Sequence, residues 1–304
     1  MTTSKKGIAQ INAEEPRYSR SFIGDTLSYI RRDTLTLSAL LVLLIMTIIC
    51  FVGPIIITDV LELDPTDINV VARFKQPVQD GYLLGADHLG RDQLMRLIFG
   101  GRVSLSIAYI ASTITVFIGI TLGLLSGYYG GLIDDVISWV INTLSAIPPL
   151  FLLLIASALW EPSTEVLIFV LAALGWVGTS RLVRGEVLSL RERDYVLAAK
   201  ALGASSFRIL LHHILPNIIS IVLVTMTIIA GNLILVESGL SYLGVGIQPP
   251  TPTWGNMLTD SRNYFVTGVH LVVFPGILIM ITVLCFYLVG DGLRDALDPR
   301  RYKS

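Results

Sequence analysis

The segment RERDYVLAAKALG, residues 191–203, is polar and alanine-rich, and it lies between two long apolar stretches of the chain. After it the sequence reaches ILPN at residues 214–217 and enters the next apolar stretch. Gly203 can adopt the left-handed conformation that ends a helix, and Ser205 and Ser206 are good caps for the helix that follows. The pattern predicts a protruding elbow made of a polar helix, a glycine turn and a second helix.

Six long uncharged runs account for most of the remaining chain. Only 15% of the 304 residues are charged and 53% are hydrophobic, whereas about 25% of the residues in a soluble domain are charged. A membrane span needs about 20 apolar residues, and in the shortest run Arg181 and Arg184 are expected to snorkel to the interface. The runs are Thr34–Thr58, Val103–Ile133, Val136–Trp160, Val166–Ser180, Ile214–Val236 and Leu271–Gly290. The composition predicts an all-α membrane protein with six transmembrane helices.

Lysine and arginine residues outside the runs are concentrated in the N-terminal tail, the elbow and the C-terminal tail. Six alternating spans place these three regions on the same side, and the positive-inside rule makes that side cytoplasmic. A short interfacial helix is expected near Phe22–Arg32. The net charge of −1 offers no basic field for nucleic acid, so the lipid bilayer is the expected environment.

Residues that usually build catalytic or metal sites are scattered. Cys50 and Cys285 lie inside apolar runs without a CxxC or His/Cys cluster, and we expect both to serve packing. One polar group, expected to tie a loop together, consists of Asp87, His88, Arg91 and Asp92. No GxxxxGK[ST] phosphate loop occurs. The sequence therefore predicts no catalytic residue, no metal and no cofactor, and any ATPase that drives transport would be a separate chain.

Several features inside the runs predict how the spans are shaped. Pro148 and Pro149 remove two backbone donors and should kink the third span, either as a purely structural kink or beside a cavity. Gly119, Gly123 and Gly127 recur every fourth residue, which predicts close helix packing.

Glu237, just beyond the fifth run, could face a pathway or simply be hydrated at the outer interface. A proton-coupled carrier would need buried acidic or histidine residues in its spans, and the six runs contain none. An independent secondary carrier or a polytopic membrane enzyme is therefore the less favoured class.

Several groups of residues along the chain carry a resemblance to a known family. They are LGADHLGRD at 84–92, GRVSL at 101–105, GYYGG at 127–131, RLVRG at 181–185, the elbow through Asn217 with QPPTPTWGNML at 248–258, and GDGLRDALDP at 290–299. With them the chain resembles the C-type permease subunit of dipeptide/oligopeptide ABC importers, in which the elbow is the EAA coupling loop. Leu197 stands where that motif has its glutamate.

The resemblance implies a set of partners and a location. A second homologous permease subunit would form a heterodimer with this chain, two ABC ATPase subunits would bind the coupling loop, and a substrate-binding protein would dock from outside. The complex would lie in the plasma (inner) membrane of a bacterium or archaeon. Peptides are the implied substrate, and nickel, glutathione or oligosaccharide uptake by the same machinery stays open.

The resemblance also assigns roles to individual residues. The expected ATPase-coupling residues are Tyr195, Leu197, Ala198, Ala199, Lys200, Gly203, Ala204 and Ser205. The expected pathway or outer-gate residues are Pro148, Pro149, Glu237, Pro249, Pro250 and Trp254. Trp254 is expected at the membrane interface.

These assignments divide the chain into four parts. They are a cytoplasmic tail at 1–33, the first span with its extracytoplasmic loop at 34–102, a five-helix permease core at 103–292, and a second cytoplasmic tail at 293–304. The core contains the coupling loop at 187–213 and the extracytoplasmic gate segment at 240–262.

Overall fold

The computed structural model describes residues 22–160, 163–261 and 264–297, and in these ranges the regular structure is helical. The helices are α1 (Phe22–Arg32), α2 (Thr34–Ile55), α3 (Gln93–Tyr129), α4 (Gly131–Ser145), α5 (Pro149–Leu159), α6 (Thr164–Leu190), α7 (Asp194–Ala201), α8 (Ser206–Ile209), α9 (Leu215–Tyr242), α10 (Trp254–Ser261) and α11 (His270–Ala296). The chain also has two π-helical turns. One, Ile56–Val60, follows α2, and the other, Leu210–Ile214, precedes α9. We call the two ends of the bundle the α7 end and the α10 end.

Membrane spans are provided by five long apolar helices, and by a sixth span if α4 and α5 are counted together. The five are α2, α3, α6, α11 and the helix that contains α9. The predicted all-α membrane fold is therefore confirmed. Helix α1 coincides with the short helix expected at Phe22–Arg32, while residues 1–21 and 298–304 of the expected tails lie outside the described ranges.

Glycines bring α3 and α6 into close contact along their length. Gly119, Gly123 and Gly127 lie one turn apart on α3. A methyl group added at Gly123 would meet Cβ of Val183 at 2.7 Å, and one at Gly127 would meet Cβ of Val187 at 2.8 Å. The two backbones approach because no side chain separates them. We call this contact the α3–α6 seam, and it confirms the close packing predicted from the glycine spacing.

Helix α3 begins at Gln93, well before the apolar run that starts at Val103. The carboxylate of Asp92 accepts a hydrogen bond of 3.0 Å from the backbone N–H of Met95 and so caps the helix. The uncharged run does not show this start, because Gln93, Arg96 and Arg102 interrupt the apolar residues of the first turns. The expected boundary between residues 102 and 103 therefore falls inside a helix.

A sharp bend, residues 145–149, replaces the single kinked span expected over Val136–Trp160. Helices α4 and α5 meet there at an angle of 84°. Pro149 is the first residue of α5, where its missing N–H removes no helical hydrogen bond, and Pro148 before it is disfavoured in a helix. Among the described side chains of α5 only Ala156 is buried. We call this region the α4–α5 bend.

A hydrophobic core joins α2, α3, α9 and α11 on the other side of the bundle. Cys50 of α2 and Cys285 of α11 are both buried in it and unbridged, in line with the packing role expected for them. Trp254 at the start of α10 belongs to the same core. Helix α11 continues to Ala296, so the tail expected from residue 293 begins as helix.

Candidate functional site

The elbow is anchored to the α3–α6 seam by apolar side chains and by one arginine. Val196 of α7 is buried and belongs to one hydrophobic cluster with Val187 of α6 and Ile209 of α8. Nη1 of Arg191 donates a hydrogen bond of 3.0 Å to the carbonyl of Gly127 in the last turn of α3. Val196 thus joins α7 to α6, and Arg191, which caps the end of α6, joins that end to α3.

A Schellman motif ends α7. Gly203 has a φ of 81°, and its N–H donates to the carbonyl of Lys200 at 3.0 Å. The N–H of Ala204 donates to the carbonyl of Ala199, also at 3.0 Å. These two hydrogen bonds define the motif, and the left-handed glycine turn predicted from the sequence is confirmed.

The helix after the elbow is longer than expected. Ser205 caps it by accepting a hydrogen bond of 3.3 Å from the N–H of Arg208, as predicted. From Ser206 to Tyr242 the chain then forms one long apolar helix. Pro216 is the second residue of α9 and so lies in the first turn of that segment, where its missing N–H costs little. The π-helical turn directly before Pro216 accommodates the missing N–H without ending the helix.

Helix α7 and the turn after it expose apolar side chains. The exposed fractions are 47% for Leu197, 89% for Leu202 and 70% for Phe207. Of the expected coupling residues, Tyr195, Leu197, Ala198, Lys200, Gly203 and Ser205 are exposed, and Ala199 and Ala204 are half-buried. All eight are thus exposed or half-buried within one short segment, residues 195–207, whose exposed part we call the α7 surface.

Glu237 is fully buried in α9. The hydroxyl groups of Ser104 on α3 and Ser241 on α9 donate hydrogen bonds of 3.2 and 2.8 Å to its carboxyl oxygens. The expected hydration is wrong, because α9 continues to Tyr242 and hydroxyl groups take the place of water. The prediction that the spans contain no acidic residue is also wrong, since Glu237 lies inside α9. Its assignment to a pathway stays a prediction.

Trp254 fastens the α10 end to α3. The fully buried indole donates its N–H to the carbonyl of Leu97 at 2.9 Å, and the backbone N–H of Trp254 donates to Oγ of Ser104 at 3.2 Å. The ring is therefore enclosed by protein, and the expected place of Trp254 at the membrane interface stays a prediction. Asn256 holds the proline-rich segment before it through hydrogen bonds of 3.1 and 2.8 Å to the carbonyls of Ile247 and Thr251.

The four prolines expected in the pathway lie in two separate places. Pro148 and Pro149 are exposed at the α4–α5 bend, and Pro249 and Pro250 are exposed in the segment between α9 and α10. The structure therefore does not gather the six expected pathway residues into one site. They divide between the bend and the α10 end.

Asp87 organises the loop before α3, as the sequence predicts. Its carboxylate pairs with Arg91 Nε at 2.7 Å and with Arg96. Burial raises the pKa of Asp87, but the charges of Arg96 and Arg91 and two backbone N–H groups lower it by more, so the pKa lies below its ordinary value. All three side chains are buried, which makes this group a structural tie of the loop to the first turn of α3.

Two arginines of α6 were treated in the sequence as snorkelling side chains, but the structure gives both specific partners. Arg184 donates from Nε and Nη2 to the two carboxyl oxygens of Asp134 on α4, each at 2.6 Å. Arg181 donates from Nη2 to Ser145 Oγ at 2.9 Å and to Asn142 Oδ1 at 3.4 Å. The signal in the sequence was the presence of charged residues inside otherwise apolar helices.

Residues 119–303 match the family described as binding-protein-dependent transport system inner membrane component. The chain belongs to this family. The dipeptide transport permease DppC of Alkalihalophilus pseudofirmus is 36% identical over 89% of this chain and 88% of its own length. The oligopeptide permease OppC of Haemophilus influenzae is 35% identical over 88% of this chain and 86% of its own length. The glutathione transport permease GsiD of Pectobacterium atrosepticum is a further relative, 38% identical over 75% of this chain and 76% of its own length.

Solved structures show the same fold at lower identity. A chain of the MetNI methionine ABC transporter in an inward facing conformation superposes with a TM-score of 0.56 at 19% identity, covering 67% of this chain and 97% of that one.

Proposed function

We propose that this chain is the permease subunit of an ATP-driven importer of di- and oligopeptides and that the α7 surface receives the movement of its ATPase subunits. The observation that carries the proposal is the exposed apolar area of Leu197, Leu202 and Phe207 beside charged residues. Burial of such residues against another protein is favourable. Val196 lies in one hydrophobic cluster with Val187 of α6, and Arg191 ties the end of α6 to α3, so a push on this surface would move two spans together.

The remaining parts of the proposal follow from membership of the family. ATP hydrolysis is supplied by two separate ATPase subunits, a second homologous permease completes the pathway, and a binding protein delivers substrate at the α10 end. The α7 end is then cytoplasmic, in agreement with the basic residues around it, and the complex lies in the plasma membrane. Family membership leaves no support for the independent carrier or the membrane enzyme.

Peptides are the substrate that the relatives favour. The DppC and OppC relatives each cover most of this chain. Glutathione is the second candidate, because the GsiD relative is of similar identity and glutathione is itself a tripeptide. Both candidates carry carboxylate groups and amide bonds.

The test is to purify the tagged chain in mild detergent and to identify the proteins that accompany it. A second permease and ATPase subunits are expected, together with ATP-dependent uptake of a labelled dipeptide after reconstitution with the binding protein. A chain that is isolated without any ATPase would contradict the proposal.

The coupling role is tested by Gly203→Val. A β-branched side chain is strained at a positive φ, so the end of α7 should be displaced while α6 and α9 remain in the membrane. We expect ATP-dependent uptake to be lost although the chain reaches the membrane in normal amount. The control is Gly185→Val, because Gly185 is exposed and has no atom near an added methyl group. Equal uptake by the two variants would refute the coupling role.

A further inference from the structure

Arg181 lies in the membrane-spanning part of α6, directly after the apolar run Val166–Ser180. Ala173 is the middle residue of this run, and Arg181 follows it by about 12 Å of helix rise. The hydrocarbon core extends about 15 Å to either side of its middle. Arg181 therefore begins inside the hydrocarbon depth, where an arginine must find polar partners or water.

The side chain of Arg181 points further into the membrane instead of toward the α7 end. Its Nη2 contacts Asn142 and Ser145, which lie in the last turn of α4, on the far side from the start of that helix. A phosphate group of the nearer lipid leaflet lies at the interface and cannot reach the guanidinium in this position. Arg181 thus has protein side chains as its partners, in place of the lipid interface expected from the sequence.

The charge of Arg181 has only neutral acceptors around it. Asn142 and Ser145 supply oxygen atoms, and within the described ranges of the chain no carboxylate forms an ion pair with this arginine. Arg184, one turn away, differs because both oxygens of Asp134 neutralise it. The N–H groups of Nε and Nη1 of Arg181 are left to bind a further acceptor.

A cavity of about 210 Å³ lies beside this group at the α4–α5 bend. Its walls include Ser145, Ile147 and Pro149 of the bend and Leu174 and Val177 of α6. Ser145 is both a wall of the cavity and a partner of Arg181, and Val177 precedes Arg181 by one turn on the same face. The cavity therefore has mainly apolar walls, and Ser145 connects it to Arg181.

We propose that Arg181, with Asn142 and Ser145, is a binding site for a carboxylate of the transported substrate. An arginine with free N–H groups is well suited to a carboxylate, and the apolar walls accept the neighbouring part of the substrate. The site deepens the proposed import function and rests on it. A peptide or glutathione would reach the site by one of its carboxylates.

The test uses the whole importer in proteoliposomes, with labelled alanyl-alanine and alanyl-alanine amide as probes. Arg181→Gln should lower the uptake of alanyl-alanine by about tenfold, the scale of one charge-assisted hydrogen bond, and leave uptake of the amide unchanged. Arg181→Lys should restore part of the difference. The matched control is Arg184→Gln, which should lower both uptakes in equal proportion through the amount of intact complex.

A second measurement tests, without the amide probe, whether position 181 lies in the transport pathway. In Arg181→Cys the new thiol is expected to react with a charged, membrane-impermeant thiosulfonate, because the natural residues Cys50 and Cys285 are buried. Alanyl-alanine should slow this reaction during ATP-driven transport.

Three results would overturn the proposal. Equal loss of both uptakes in Arg181→Gln with less complex would show a structural role or an ion pair with the second permease. A thiol that never reacts in the assembled importer, or one that reacts at the same rate with and without peptide, would place Arg181 outside the pathway. A wild-type importer that carries no peptide at all would instead refute the peptide-import function itself.

Discussion

The α3–α6 seam and the α4–α5 bend are neighbours in the bundle, yet they are built by opposite means. In the seam, glycines remove side chains and let two backbones meet, so that no space remains between the helices. In the bend, prolines interrupt the helix, and mainly apolar side chains together with Ser145 line a cavity of about 210 Å³. Helix α6 takes part in both, with its small-residue contact on one side and Arg181 on the other.

The difference shows which part of the chain is able to change shape. A close-packed contact transmits displacement because its atoms have no alternative arrangement, and the elbow is attached to that contact. The bend has few buried side chains and therefore fewer contacts to lose when it moves. We expect the seam to move as a rigid body and the bend to adapt.

Gly123→Val should have the largest effect, because the new side chain would meet both Val183 and the backbone of Ser180. Overpacking of this kind is expected to lower the free energy of unfolding by about 3 kcal/mol or more, and the purified complex should fall to trace amounts in size-exclusion chromatography. Gly185→Val in the same helix pair is the control. Normal yields of both variants would show that the seam is not rigid.

Asp87→Asn tests whether the stiffness of the seam extends to the first turn of α3. Two buried arginines would lose their carboxylate, at a cost of about 3 kcal/mol, so the midpoint temperature of unfolding should fall at pH 7. Asp80→Asn is the control, because Asp80 pairs with Lys75 at the surface and should change the midpoint little.

The stabilisation that Asp87 provides, and that Asp87→Asn removes, should depend on pH. The pKa of Asp87 is lowered by folding, so its stabilisation is complete above the unfolded-state value near 4 and is lost as the pH falls through the lower folded-state pKa. The difference in the midpoint temperature of unfolding between wild type and Asp87→Asn should be constant from about pH 7 to 5. It should become smaller below about pH 4. A difference in midpoint temperature that already becomes smaller between pH 7 and 5 would contradict the lowered pKa of Asp87.

Arg184→Gln and Arg181→Gln together compare how much the two arginines of α6 contribute to stability. Loss of its two hydrogen bonds to Asp134 should lower the free energy of unfolding by about 1–3 kcal/mol, measured by thermal unfolding in detergent. Arg181→Gln should have the smaller effect on stability, because its acceptors are neutral and can be rehydrated. Equal shifts would remove the distinction between a structural and a functional arginine.

Leu197→Glu should have the smallest effect on the chain itself. Leu197 is exposed on the α7 surface, and surface substitutions usually change the free energy of unfolding by less than about 0.5 kcal/mol. Any change should appear in ATP-dependent uptake, since this residue stands where the EAA motif has glutamate. A large drop in thermal stability would show that Leu197 packs within the chain.

Local signals in the sequence were sufficient for the spans and the elbow. The apolar runs follow from the thickness of the membrane, and Gly203 and Ser205 determine their turns through their own backbone and hydroxyl groups. Contacts between distant residues were not predictable in this way. Ser104 and Glu237 are 133 residues apart, and Leu97 and Trp254 are 157 apart, so no local pattern indicates that these pairs meet. The partners of Arg181 were missed for the same reason.

The burial of Trp254 has an optical consequence. An indole shielded from water fluoresces at short wavelength, and of the four tryptophans Trp139 and Trp160 are exposed while Trp254 is fully enclosed. The difference in emission between wild type and Trp254→Phe therefore isolates one ring at the contact between α10 and α3. If that contact opens during transport, the difference spectrum moves to longer wavelength, and the opening can be timed without an added dye.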